Sequence, residues 1–275
     1  MATDMRWRLF LNETALFLAI QFLGLYVGYW IFTHQIIIPA ETTGSVITFL
    51  VSFSVATVGL IFLLKFFRTR IFFKFLLAFL IFVGSETVFT VFIPEEAAIL
   101  LAFELVILRF YWPNVFSQNL ALIFAVAGIS ATLGLFFSIE AVLIILAVLS
   151  VYDVIAVYRT KHMIALFKGL LEKGVPFSII VPDSVSDVSV SVKDAQPGTG
   201  RFLLLGTGDV AFPIIFAVAA LKFGIMSSLS VIAGAFIGLL SIHFLLMQKK
   251  VGAIPALPPI VFFSLIGFII SLFLF

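Results

Sequence analysis

The chain has 275 residues, 63% of them hydrophobic and 11% charged, with 35 Phe and a mean hydropathy of +1.28. A soluble globular domain carries about 25% charged residues, so this composition excludes that class and describes a polytopic membrane protein. A net charge of +2 without a zinc pattern or basic helix gives no reason to expect nucleic acid, and zero Cys excludes disulfides, thiolate nucleophiles and Cys-based metal sites.

In chain order, residues 1–12 form a short polar lead with Arg6 and Arg8, followed by an apolar run over 13–33. That run is long enough to cross a bilayer and lacks a small-residue cleavage site, which predicts a retained first span. The Asn12-Glu13-Thr14 sequon then falls on the cytoplasmic side and carries no expectation of glycosylation. Further apolar runs cover 45–66, 71–92 and a short 97–111. The run over 118–158 is too long for one helix and is expected to fold back near Ser138-Ile139-Glu140. Three more follow at 202–221, 227–247 and 255–275. The expectation is an all-α, single membrane domain over 1–275 with nine transmembrane helices: six in 1–158, a cytoplasmic loop at 159–201, and three in 202–275.

Short cytoplasmic loops are rich in Lys and Arg. Threading nine spans with the N-terminus cytoplasmic and the C-terminus outside puts every Lys and Arg except Lys222 on the cytoplasmic side. Within the loop, Met163, Phe167 and Leu170 at helical spacing among lysines suggest an interfacial amphipathic extension over 161–173, or simply a frayed helix end. Val188, Val190 and Val192 alternate with Ser189, Ser191 and Lys193, which reads as a short strand able to pair with an extended peptide, or as a plain loop.

Two carboxylates stand inside apolar runs. Asp209 follows Gly206, Thr207 and Gly208, and Asp153 follows Tyr152. Each is placed by helical rise roughly 9–12 Å in from the cytoplasmic end of its span, on consecutive antiparallel segments, so the two are expected to face each other. Intramembrane carboxylates are functional candidates because lipid penalises them. A close pair at low dielectric holds one proton between its two members, which suits amide hydrolysis. One Asp draws a proton from water while the other donates to the scissile carbonyl, and neither metal nor cofactor is needed. Gly206 and Gly208 would loosen the helix before Asp209 to admit water and substrate backbone. Pro255, Ala256 and Leu257, followed by Pro258 and Pro259, open the last span with an irregular segment that could line the same cavity or merely cap a helix.

Tyr152-Asp153, Gly206-Thr207-Gly208-Asp209 and Pro255-Ala256-Leu257, in that order, resemble the YD, GxGD and PAL motifs of the presenilin and signal peptide peptidase family of intramembrane aspartyl proteases. The resemblance implies that Asp153 and Asp209 are catalytic and that Pro255, Ala256 and Leu257 shape the site. Thr207 departs from the Leu common in the motif. The segment 152–157 and Pro255 to Pro258 look closer to presenilin, whereas Pro213 looks closer to signal peptide peptidase. The resemblance further implies transmembrane protein or peptide substrates in the lipid bilayer, cleaved nearer the cytoplasmic face. The chain looks like a microbial homologue in the cell membrane, a possible homo-oligomer acting without obligatory partner subunits.

Other polar residues carry weaker expectations. Glu86 and Glu104 fall in or near spans three and four, away from the expected site, and Glu140 marks an outer turn. His34, His162 and His243 share no metal-like spacing. Gly234 and Gly238 form a small-residue packing face. The competing function is an ion channel or proton-coupled transporter using the same Asp pair.

Overall fold

The computed structural model describes residues 2–34, 51, 55, 70–160, 170, 174–195, 201–248 and 255–274. Among the described residues, eight α-helices run in chain order: α1 (Ala2–Thr33), α2 (Arg70–Phe89), α3 (Glu95–Tyr111), α4 (Val115–Phe136), α5 (Ile139–Ile155), α6 (Thr207–Ala219), α7 (Ile225–Gln248) and α8 (Leu257–Leu274). Six of them are long and apolar enough to cross a membrane, so the chain is a mostly helical multi-pass membrane protein. The 17-residue α3 and the 13-residue α6 fall short of that length. The expected span at 45–66 lies outside the described residues apart from Val51 and Val55, as does the extension at 161–173 apart from the buried Leu170.

Helix boundaries follow local chemistry. Asn114 caps α4 through a reciprocal pair in which its side chain accepts from the Ser117 N–H and the Ser117 hydroxyl accepts from its own N–H. Ser138 caps α5 by accepting from the Ala141 N–H, so the long apolar run turns at Phe137 and Ser138, as its length requires. Pro94 starts α3, with Glu95 and Glu96 at the positive end of its dipole. Gly224, with φ of 107°, makes the turn into α7.

Helix α4 sits at the centre and packs against α1, α2 and α6. Contact between α2 and α4 requires Gly84 and Gly128, because a methyl group on Gly128 would lie 1.9 Å from the Gly84 carbonyl oxygen. Gly234 and Gly238 bring α7 against the backbone of α8 at Phe263 and Ile260, the packing role expected of them.

The all-α expectation is corrected in one place. Strands β1 (Ser178–Pro182) and β2 (Phe202–Gly206) pair antiparallel, with Ser178 opposite Gly206 and Pro182 opposite Phe202. Residues 202–206 were expected to begin a helix; they extend because Ile179, Ile180 and Val181 offer a β-branched partner strand and Gly206 resists helix formation. The strand expected at 188–193 is reduced to an isolated antiparallel bridge between Ser191 and Asn114. Residues Val185–Ser189 form a 3-10 helix, the Val190 N–H bonds back to the Asp187 carbonyl, and Asp187 pairs with Arg201. Short Ser and Asp side chains favour such local closure over a ladder. The Val alternation instead reflects Val192 buried beside Val115 and Ile180 while Lys193 is exposed.

Candidate active site

Asp153 lies in the last turn of α5, buried, just before the chain leaves as a π-helical turn over Ala156–Thr160. Its Oδ2 accepts a hydrogen bond of 3.1 Å from the Leu257 N–H at the start of α8. Unpaired N–H groups at a helix start suit a carboxylate. Pro258 and Pro259 supply none, so the donors offered there are those of Leu257 and Ala256. The three-residue segment from Pro255 thus reaches Asp153 through backbone rather than side chains.

Asp209 occupies the first turn of α6, directly after β2. The glycines stand at a strand-to-helix junction instead of within a loosened helix. Gly206 is the N-cap, and its lack of a side chain leaves room for the Asp209 carboxylate, whose Oδ2 would lie 2.7 Å from a methyl group there. Gly208 keeps the surface beside Asp209 bare; a methyl there would meet only the Phe212 ring at 3.4 Å. Thr207 donates its hydroxyl to the Phe177 carbonyl at 3.1 Å, tying the junction to the start of β1. The first turn of α6 is also held by Gln21 of α1, whose Nε2 donates 2.9 Å to the Val210 carbonyl, and Pro213 leaves the Asp209 carbonyl without its usual helical donor.

Asp153 and Asp209 lie within electrostatic reach of each other. The route differs from the expected one, since an extended strand of 3.3 Å per residue, not helical rise, carries the chain to Asp209. Tyr152 is 64% exposed and lies on the outer face of α5, apart from this cluster.

The hairpin beneath Asp209 has two unlike edges. On the outer edge of β1, Gln118 Nε2 donates to the Pro176 and Ser178 carbonyls, and Asn119 both donates to the Ile180 carbonyl and accepts from its N–H. Asn12 of α1 donates 2.8 Å to the Pro182 carbonyl. Three amide side chains therefore stand where a third strand would. Because Ile180 bonds outward, its cross-strand partner Leu204 must also turn its N–H and C=O outward. Those groups, on the free edge of β2, have no partner among the described residues. The edge runs through Gly206 straight to Asp209. Two neighbouring carboxylates beside an open strand edge can bind an extended peptide and activate water against one of its amides.

A family model described as signal-peptide peptidase, presenilin aspartyl protease matches residues 14–275. The chain belongs to that family. Two solved structures described as a presenilin family intramembrane aspartate protease share its fold. One, in a C222 crystal form, is 20% identical with a TM-score of 0.67, covering 97% of this chain and 99% of the other. The second, in a P2 form, is 21% identical with a TM-score of 0.64, covering 95% and 96%. No curated protein sequence matches. Membership makes this family member an intramembrane aspartic endopeptidase that acts on membrane protein substrates, and the channel or transporter reading is not favoured.

Several residues around the site escape notice in the sequence. Asn12, Gln118 and Asn119 build the closed sheet edge, and Gln21 is fully buried with its Oε1 unpartnered among the described residues. Adjacent amides at the start of an apolar run were the available signal for Gln118 and Asn119. Glu13, dismissed with its sequon, is buried in α1 within electrostatic reach of Asp209.

Proposed function

We propose that Asp153 and Asp209 are the catalytic pair of this protease. The observation that carries the reading is their convergence, one from the end of α5 and one from the start of α6, beside a strand edge with no partner among the described residues. One carboxylate takes a proton from water, whose oxygen attacks the scissile carbonyl. The other, protonated, donates to the carbonyl oxygen, and the proton taken from water passes to the leaving nitrogen as the C–N bond breaks. An extended substrate segment pairs with the outward N–H and C=O of Leu204 and continues past Gly206, so that its amide meets the pair. Gly206 and Gly208 keep that path clear, Thr207 fixes the junction, and the backbone from Pro255 through Ala256 to Leu257 orients Asp153; Tyr152 completes the motif from the lipid-facing side.

The topology that goes with this reading has nine spans, a cytoplasmic N-terminus and an external C-terminus, supported by the placement of Lys and Arg. Substrates with their N-termini outside are then cut toward the cytoplasmic face. We further infer that the chain works in a microbial cell membrane without obligatory partner subunits, alone or as a homo-oligomer. The test is cleavage of a single-span peptide by the purified protein in liposomes, beside Asp153→Asn and Asp209→Asn. Activity that survives a chelator and disappears in both variants supports the assignment. Full activity in either folded variant removes that Asp from the chemistry.

A further inference from the structure

Arg109, in the last turn of α3, is 1% exposed, and buried cations are ordinarily paired with acids. Here its Nε donates to Gln118 Oε1 and its Nη2 donates 3.1 Å to the Gly174 carbonyl, two neutral oxygens. A guanidinium has five N–H groups, so others have no partner among the described residues. Arg109 lines a cavity of about 180 Å³ together with Lys74 from the first turns of α2, Lys193 from the loop before β2, Pro113, Gly174 and Ser191. Three cations line it and, among the described residues, no acid does; Asp194, beside Lys193, is exposed and stands outside. None of the three is ion-paired among the described residues.

The position of the cavity narrows the choice of anion. It lies where α2 begins, α3 ends and the hairpin sits, and the adjoining Tyr111 and Trp112 are 73% and 59% exposed, as aromatic residues are at a membrane–water boundary. Around the same helix end runs a groove of about 640 Å³ between α2, α3 and α4, lined by Leu101, Leu108, Trp112, Phe89, Phe124 and other apolar residues, with Glu104 its single carboxylate among the described residues. Leu108 and Trp112 line the groove while the next residues, Arg109 and Pro113, line the cavity, so the two lie on neighbouring faces of one helix end. Water commonly takes about 30 Å³, and the cavity therefore has space for a phosphate with part of its ester.

We propose that this cavity binds the phosphate of an anionic phospholipid, whose acyl chains lie along the neighbouring groove. Phosphate oxygens complete the shell of Arg109 and draw in Lys74 and Lys193, while the apolar groove supplies what a free phosphate lacks. The bound headgroup then braces the β1 edge, since Arg109 holds Gln118 and Gln118 holds the Pro176 and Ser178 carbonyls.

The test is native mass spectrometry of the detergent-solubilised full chain titrated with phosphatidylglycerol, phosphatidylcholine or glycerol 3-phosphate. The wild type is expected to retain phosphatidylglycerol in preference to phosphatidylcholine, with glycerol 3-phosphate a poor competitor. Each lysine at a membrane surface is worth about fivefold in binding, so Lys74→Gln with Lys193→Gln weakens phosphatidylglycerol about 25-fold and leaves phosphatidylcholine unchanged. Peptide cleavage in phosphatidylcholine vesicles shows that the double variant is folded. Should it fold poorly, Lys193→Gln alone, in an exposed loop, carries the comparison with about a fivefold loss. Equal binding of phosphatidylglycerol by variant and wild type overturns the site, and competition by glycerol 3-phosphate at equal strength overturns the lipid as its occupant.

Discussion

Replacing Gly206 by Ala separates the geometry of the site from the stability of the fold. Gly206 has φ of −62° and ψ of 134°, a backbone open to any residue, so the new methyl introduces no conformational strain. It would, however, stand 2.7 Å from Asp209 Oδ2, where ordinary contact begins at 3.4 Å, and the carboxylate must swing aside by about 0.7 Å. Misplacing a reacting group by about 1 Å costs on the order of a hundredfold in rate. Gly206→Ala is therefore expected to lower kcat/KM roughly 10- to 100-fold or more, with thermal unfolding unaltered. The assay is cleavage of a fluorescent single-span peptide in liposomes, paired with a melting curve. Gly234→Ala supplies the contrast, because its methyl would sit 2.1 Å from the Phe263 carbonyl oxygen, backbone that cannot rotate away. That variant should lose about 1–3 kcal/mol of stability. Full activity in Gly206→Ala with an unchanged melt would refute the idea that this glycine makes room for the Asp209 carboxylate.

Asn119→Leu strips partners from the Ile180 N–H and C=O and should cost about 2–4 kcal/mol, read by denaturant unfolding in micelles. Gln118→Leu is expected to be worse, about 3–5 kcal/mol, because it also leaves the buried Arg109 short of an acceptor; a melting curve ranks the two. Asp187→Asn removes a pair whose Arg201 side chain is 59% exposed and should shift stability by less than about 1 kcal/mol in the same melt. The rate of peptide cleavage against pH should be bell-shaped, with two apparent values that belong to the Asp pair jointly; a profile flat from acid to alkaline pH contradicts shared proton work.

Where hydropathy and capping agree, the sequence was sufficient. The Ser138 cap is the only strong punctuation inside a 41-residue apolar run, and the chain turns there. Asp153 and Asp209 stood out because a carboxylate in an apolar run has few bland uses, whereas the proline cluster at 255–259 also read as an ordinary helix cap. The hairpin was not legible, since residues 202–206 are apolar enough for a helix and their paired residues in β1, Ser178 to Pro182, come well before them in the chain. Nor were Asn12, Gln118 and Asn119, whose roles depend on facing a strand edge that no local pattern announces. The Val188 to Lys193 alternation was read with the right faces and the wrong backbone, because period two marks burial and does not by itself require a ladder.

The amides that close the outer edge of β1 also bear on the order of assembly. Asn12, Gln118 and Asn119 all emerge during synthesis before β1, whereas β2 follows it. Once α1 and α4 are in place, β1 has a docking surface that does not depend on its sheet partner. β2 then closes against a strand already seated, and it delivers Asp209 to Asp153 as its last residues settle. A chain growing from its N-terminus in this way keeps the two acids apart until the sheet is complete, so their approach is a late step of folding.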